Sequence, residues 1–161
     1  MFSKATEYAL RATIHIAKNS SENNKLGLAV IAAAIDSPQS FTAKILQLLT
    51  RNNKVISSVR GPNGGFYITK KARKLPVRAI LEAMHEDKVL EKCVLGLAEC
   101  SESQPCPMHS QYKQIKHQLI NLFENKTIEY LAEEMTEGIT FINNKSKKIK
   151  VKIEKPGAKK S

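Results

Sequence analysis

The sequence predicts a mainly α-helical chain with one small β-hairpin, arranged as a winged helix-turn-helix domain with a long C-terminal dimerisation helix. Two short helical segments flank a tight turn between residues 28 and 52, and a glycine-rich turn then separates two strand-like segments. A hairpin that directly follows a helix-turn-helix is typical of a wing. Further along, residues 107–125 carry apolar side chains at the spacing of a long amphipathic helix.

Three helices are predicted before the hairpin. The first covers residues 4–18, where apolar side chains recur with helical spacing. Residues 28–34 form the second, a short apolar helix. Ser37 is a suitable N-cap and Pro38 a suitable first residue for the third helix, which is expected to reach about Asn52. Its inward-facing side chains are expected to be Phe41, Ile45, Leu46 and Leu49.

The hairpin is predicted from two short strand-like segments, residues 55–59 and 66–69, joined by the turn at residues 60–65. Three glycines within five residues of this turn permit positive φ angles and therefore a tight reversal. A basic cluster follows the second strand and consists of Lys70, Lys71, Arg73 and Lys74.

The second half of the chain begins with a helix from Pro76 through Met84 and continues with residues 85–106, which have little periodicity. The long helix then starts at Pro107, and Thr127 is a suitable cap for a last short helix. The apolar stripe of the long helix either packs back on the first helix or pairs with a second subunit. We favour a second subunit, because a helix-turn-helix protein usually reads two half-sites.

This pattern divides the chain into four segments. We expect a winged-helix DNA-binding domain at 1–84, a cysteine-bearing loop at 85–106, dimerisation helices at 107–136 and a basic, flexible tail at 137–161. The tail either adds non-specific affinity for phosphate or has no role.

The charge of the chain is large and uneven. The net charge is +11, with thirteen basic and four acidic residues in 1–85, and a predominantly acidic middle before the basic tail. Such an excess indicates a polyanionic partner, either nucleic acid or an anionic membrane. No apolar run approaches the roughly 20 residues that span a bilayer, and no secretory signal is evident, so we expect a cytoplasmic protein. The sequence has no nucleophile–base arrangement, no phosphate-binding loop and no paired carboxylates. We therefore expect that the protein is not an enzyme.

The three cysteines, Cys93, Cys100 and Cys106, are separated by six and then five residues. An odd number of cysteines in a reducing compartment argues against a disulfide framework, and the spacing is not the close pair of zinc ribbons. The thiols are either unligated or bind an ion or cluster. Gly96 and the two prolines around Cys106 suit a loop that wraps such a group, and thiolates suit iron–sulfur clusters, zinc or copper(I).

Four features together resemble a known family. They are the wing SSVRGPNGGF at 57–66, the start TEYALR at 6–11, the third helix from Ser37 to Leu46, and the positions of the cysteines. Over residues 1–135 the sequence resembles the Rrf-two (Rrf2) family of bacterial winged-helix transcription regulators, which includes the iron–sulfur IscR- and NsrR-like members. Two departures are a turn at 51–54 that is one residue longer than usual, and one extra residue between Cys93 and Cys100.

The resemblance implies an iron–sulfur cluster, of 2Fe–2S or 4Fe–4S type, bound by the three cysteines. A fourth ligand would be His109, as in IscR-like proteins, or Glu7 of the partner subunit, as in NsrR-like proteins. The implied protein is a homodimeric regulator, most often a repressor, whose operator binding responds to redox state, nitric oxide or cluster status. The alternatives are the same fold without a cluster, sensing by thiol oxidation or a small ligand, and a structural nucleic-acid-binding protein.

The third helix and the wing supply the expected DNA contacts. Gln39 suits a bidentate pair with adenine, Arg60 suits a narrow minor groove, and Arg73 suits a phosphate. The full set of expected contacts, apart from Arg73, is Ser37, Gln39, Ser40, Thr42, Lys44, Arg60, Gly61, Asn63, Lys70 and Lys71.

Overall fold

The computed structural model describes residues 1–51, 54–136 and 139–144, and its elements follow the predicted order. The helices are α1 (Lys4–Asn19), α2 (Leu28–Ala34), α3 (Gln39–Leu49), α4 (Lys70–Arg73), α5 (Arg78–Ala83), a 3₁₀ helix (Asp87–Leu90), α6 (His109–Asn125) and α7 (Ile128–Glu133). The strands β1 (Ser57–Val59) and β2 (Gly65–Tyr67) lie between α3 and α4.

Helix α1 lies at the centre of the core, in contact with α2, α3, α5 and α7. Three of its fully buried residues, Ala9, Ala12 and Ala17, are alanines, so neighbouring helices approach its backbone closely. Ser3 caps its start by accepting a hydrogen bond from the Thr6 N–H. Glu86, just beyond α5, accepts a bond from the Ser3 N–H; burial raises the pKa of Glu86, but hydrogen bonds from Thr6 and Ser3 outweigh this and lower it.

The start of α3 differs from the prediction. The helix begins at Gln39, so Pro38 occupies the N-cap position and Ser37 makes no side-chain cap. Ser37 instead completes the turn that ends α2, where its N–H donates to the Ala32 carbonyl at 3.0 Å. Asp36, with φ 56°, reverses the chain immediately before it. The helix ends at Leu49, before Asn52 and Asn53, which lie outside the described residues.

The hairpin is shorter than predicted. Val55 and Ile56, expected in the first strand, lie outside the hairpin: both are fully buried in the core, and the Ile56 N–H donates to the carbonyl of Leu49 at the end of α3. The glycine-rich turn is confirmed: Gly61 has φ 107°, and a Cβ on Gly64 would collide with the Val59 carbonyl. The segment between α1 and α2 runs antiparallel beside β2, where Leu26 forms an isolated β-bridge with Phe66. The sequence did not predict this contact.

The last two helices have different packing partners. Thr127 caps α7 as predicted, accepting from the Tyr130 N–H at 3.1 Å, and α7 packs along α1. Helix α6 reaches the start of α1 through Phe123, whose ring centroid lies 5.4 Å from that of Phe2. Elsewhere α6 leaves apolar side chains in solvent, with Ile115 60% and Leu122 49% exposed. None of the described helices is long and apolar enough to cross a membrane.

Candidate nucleic-acid interface and cysteine site

The outward face of α3 carries polar side chains beside the wing. Gln39, Ser40 and Lys44 are exposed there, as predicted for groove contacts. Thr42 was expected among them, and this is wrong: it is fully buried, and its hydroxyl donates to the Pro38 carbonyl at 3.0 Å. The physical reason is helical spacing, because Thr42 precedes the buried Ile45 and Leu46 by three and four residues and so shares their face.

The wing lies next to this face. Gln47 and Thr50 line one shallow depression together with Ser58, Arg60 and Gly61 of the wing. Arg60 is exposed, as are the turn residues Gly61 and Asn63. Gln47 was not among the predicted contacts. Its spacing places it there, because it lies two helical turns after Ser40 and three residues after Lys44.

The basic cluster after the wing divides into two groups. Lys70 and Lys71 on α4 are exposed, as expected of phosphate contacts. Arg73 was expected to neutralise phosphate, and the structure corrects this: its Nη1 donates to the Ala17 carbonyl at 2.5 Å, and its Nε lies 3.4 Å from Glu129 Oε1. A cation beside the carbonyl end of α1 satisfies that helix terminus. Arg73 therefore joins α1 to α7.

Replacing Arg60 by alanine is expected to weaken operator binding by about 1–3 kcal/mol, because the guanidinium at the exposed wing would be lost from the DNA contact. Fluorescence anisotropy on one operator fragment at fixed salt measures the change. Lys88→Ala is the control, since it removes the same charge from the 3₁₀ helix, which packs against α5 and α6. Equal operator affinity of the Arg60→Ala variant and the wild type would remove Arg60 from the interface.

The cysteine loop brings four candidate ligands together as two pairs. Cys93 is buried, and its Sγ lies 3.8 Å from the Sγ of Cys106. The Sγ of Cys100 lies 3.6 Å from Nδ1 of His109, at the start of α6. Within the described part of the chain, no three His, Cys, Asp or Glu side chains converge as a site for a single ion requires.

Charged and polar groups surround both pairs. The pKa of Cys93 is lowered, chiefly because the Leu95 N–H donates to its sulfur, with smaller contributions from the Leu97 N–H, Cys106 and Lys116. Nε2 of the buried His109 lies 3.4 Å from Glu102 Oε2, a contact without hydrogen-bond geometry. Glu102 also pairs with Lys113, which lowers the pKa of its carboxyl group.

Glu7, the other candidate for the fourth ligand, lies on α1. Its carboxylate forms an ion pair with Lys4 at 3.0 Å, one turn earlier on the same helix. The structure thus brings His109, and not the Glu7 of the same chain, to the cysteine loop.

An ion-pair network joins the cysteine loop to the DNA-binding half. Arg78 on α5 lies 2.9 Å from Glu91, two residues before Cys93, and 2.7 Å from Glu124 on α6. The hydrogen bond with Glu91 raises the pKa of Arg78, although burial opposes this. Glu82 lies 3.9 Å from Arg78 and 2.9 Å from Lys54, just before the wing. Contacts therefore run from the cysteine loop to the base of the wing.

The fold and the exposed face of α3 with its wing define a DNA-binding regulator of the winged-helix class. The sequence model of the Rrf2 family, described as an iron-dependent transcriptional regulator, matches residues 2–134. The chain therefore belongs to the Rrf2 family, whose members are transcription regulators and not enzymes.

Relatives in sequence and in structure agree with this assignment. An HTH-type transcriptional regulator of Aquifex aeolicus (strain VF5) is 32% identical over 133 residues, which cover 81% of this chain and 90% of the relative. The regulator IscR of Klebsiella pneumoniae (strain 342) is 29% identical, over 75% of this chain and 72% of its own.

Two solved structures share the fold. The global cysteine regulator CymR of B. subtilis superposes with a TM-score of 0.66 at 19% identity, covering 84% of this chain and 98% of its own. IscR of T. potens gives a TM-score of 0.62 at 17% identity, covering 87% and 91%.

Proposed function

We propose that this chain is a homodimeric transcriptional repressor, acting in the cytoplasm, whose operator binding is controlled by a [2Fe–2S] cluster. Its proposed ligands are Cys93, Cys100, Cys106 and His109. The observation that carries this proposal is the grouping of the four side chains into two close pairs, Cys93 with Cys106 and Cys100 with His109. A cluster of two irons needs two protein ligands on each iron.

The two distances fit this ligand set. Two sulfurs bound to one tetrahedral metal at about 2.3 Å lie about 3.8 Å apart, and a sulfur and an imidazole nitrogen about 3.6 Å apart. The observed separations are 3.8 Å for the cysteine pair and 3.6 Å for Cys100 with His109. Two separated pairs also explain why the described residues offer no centre for a single ion.

Each protein group has a defined part in such a site. Cys93 is held toward its thiolate form by backbone N–H groups, which suits it to bind iron. Glu102 lies beside the second ring nitrogen of His109, the position from which a carboxylate orients a ligating imidazole. When bound, the cluster would supply a redox-active centre that oxidants or nitric oxide can alter.

The route by which the loop acts on DNA binding is proposed to be the Arg78 network. If Glu91 moves with Cys93, Arg78 loses or regains a partner and α5 shifts, and the shift reaches the base of the wing through the ion pair of Glu82 with Lys54. Such coupling requires that the cluster-bound and cluster-free forms differ in operator affinity.

The partner on α6 is proposed to be a second copy of the chain. Helix α7, not α6, covers α1, so the face that carries Ile115 and Leu122 stays in solvent. Pairing of two such faces would bury both, and would set two recognition helices to read half-sites about one helical turn apart.

The first test measures iron, acid-labile sulfide and visible absorbance on protein purified under strict anaerobiosis. We expect brown protein with about two irons and two sulfides per subunit. An operator selected from a random-sequence DNA pool should then bind the cluster-bound and cluster-free forms with affinities at least about tenfold apart. Colourless protein that resists reconstitution, or equal affinity of both forms, would overturn cluster control while leaving the DNA-binding assignment intact.

A second candidate is a thiol-oxidation sensor, which the 3.8 Å between the Cys93 and Cys106 sulfurs favours. A hydroperoxide would oxidise one thiol to a sulfenic acid, and the second thiol would displace water from it to form a disulfide. This candidate predicts colourless protein whose operator affinity changes after peroxide treatment and returns with a dithiol reductant. The Cys106→Ser variant should lose that response.

A further inference from the structure

We propose that Asn143 is a positioning residue for DNA recognition, because it holds the turn between α2 and α3 and with it the start of the recognition helix. The proposal rests on the assignment of the chain as a DNA-binding regulator. The family match ends at residue 134, so Asn143 lies outside the matched region.

The turn between α2 and α3 leaves one backbone carbonyl without its usual helical partner. In a continued helix the Ala34 carbonyl would accept from the N–H of residue 38, but that residue is Pro38, which has no N–H. The chain instead reverses at Asp36, whose φ is 56°, and the Ser37 N–H donates back to the Ala32 carbonyl at 3.0 Å. Pro38 is also the N-cap of α3 and supplies no side-chain cap. A donor from elsewhere in the chain can therefore fix this turn.

Asn143 provides such a donor. Its Nδ2 donates to the Ala34 carbonyl at 2.9 Å, a hydrogen bond between residues 109 positions apart. A carbonyl in the last turn of a helix lacks an intrahelical partner, so this bond caps the end of α2. Asn143 is half-buried, which limits the competition of water for the same carbonyl.

Further contacts hold the segment that carries Asn143. The hydroxyl of Thr140, shortly after α7, accepts from the Thr136 N–H at 2.7 Å and donates to the Glu134 carbonyl at 3.0 Å. Ile142 packs against the core as a half-buried side chain. The side chain of Asn143 therefore reaches α2 from a segment that is already ordered, and the bond costs little further conformational entropy.

The turn leads directly to the side chains that are expected to read DNA. Helix α3 begins at Gln39, five residues after Ala34, and the first residues of a recognition helix are the ones that contact base edges. Such contacts require side chains held to within about 0.5 Å. The attraction of lysine and arginine for phosphates has no such requirement. Loss of the Asn143 bond should therefore weaken specific binding and leave non-specific binding unchanged.

The experiment compares Asn143→Asp with Asn144→Asp on one selected operator fragment and on a scrambled fragment of the same length. Aspartate has nearly the shape of asparagine, but its carboxylate cannot donate to the Ala34 carbonyl. Asn144 is the exposed neighbour, so the control adds the same charge and keeps the bond. By fluorescence anisotropy at fixed salt, Asn143→Asp should bind the operator about three- to tenfold more weakly than the control, with equal affinity for the scrambled fragment. Asn143→Ala, which removes the donor without adding charge, should show the same pattern.

Amide hydrogen exchange gives a local measurement on the same variants. The Ser37 N–H, in the turn, should exchange faster in Asn143→Asp than in the control. The Ile56 N–H, which donates to the Leu49 carbonyl at the base of the wing, should exchange equally in both.

Operator affinity and Ser37 exchange equal to those of the control would overturn the proposal. Equal losses of affinity on both fragments, together with a lower unfolding temperature, would show a purely structural role for Asn143 and overturn the proposal as well. If the full chain selects no operator from the random-sequence pool, the DNA-binding assignment itself fails, and the proposal fails with it.

Discussion

His109→Ala is expected to remove most of the iron from anaerobically purified protein, whereas His117→Ala is expected to leave it in place. Both residues lie on α6 and line the same surface depression, but His109 is buried against Cys100 while His117 is exposed. Loss of one of four ligands leaves an iron open to solvent. Iron per subunit should fall from about two to well below one, with loss of the visible absorbance.

The Glu7→Gln variant distinguishes the two candidates for the fourth ligand. It should retain iron and absorbance if His109 is the ligand, and lose them if Glu7 of the partner subunit binds the cluster. Thermal unfolding of each variant in the cluster-free state shows whether the fold survives the change. Full iron content in His109→Ala, with a normal spectrum, would contradict the proposed ligand set.

Much of the DNA-binding fold could be predicted because its signals are local. Residues 28–34 are a short apolar segment, and the glycines of the wing turn permit the positive φ angles of a tight reversal; both elements were confirmed. The errors arose where one residue had two compatible roles. Ser37 is a suitable cap for α3, but it lies in the turn that ends α2, where its N–H donates to the Ala32 carbonyl. Pro38 is the N-cap of α3. Thr42 was expected to be exposed because its side chain is polar, but its position on the helix places it in the core.

Arg73 shows a second limit of the sequence. It belongs to a basic run, and nothing in that run marks it as different from Lys70 or Lys71. Only the folded chain, in which α4 packs against α7, brings its guanidinium to the Ala17 carbonyl and to Glu129. Such partners are 56 residues away in sequence, so no local pattern predicts them.

For the candidate metal site, the sequence predicts a set of ligand residues but not their arrangement. The sequence contains three cysteines and two candidates for the fourth ligand, and the family resemblance implies that the cysteines and one of these candidates bind a cluster. Spacings of six and five residues in an irregular loop do not say which sulfur lies near which. The pairing of Cys93 with Cys106 depends on how the loop folds between the 3₁₀ helix and α6, and the same fold decides that Cys100 meets His109. This pairing is what favours two irons over one metal ion.

The second prediction concerns the proposed dimer, which should depend on Ile115 on α6. Ile115→Glu should dissociate the dimer, because the side chain is 60% exposed in one chain and would be buried against its partner. In a symmetric dimer each substitution acts twice. At about 1.5–3 kcal/mol per buried side chain, the loss is about 3–6 kcal/mol, or roughly 10²–10⁴-fold in the dissociation constant.

Analytical ultracentrifugation over a range of concentrations measures this change, and operator binding should weaken with it because each monomer holds one half-site. Asn121→Glu is the matched control: it adds the same charge to an exposed position of α6, roughly 120° around the helix axis from Ile115. The control should stay dimeric and bind operator normally. Since Phe123 holds α6 to the start of α1 on a different side, Ile115→Glu should fold normally as a monomer. An Ile115→Glu protein that remains dimeric with unchanged operator affinity would mean that the two subunits pair through another surface.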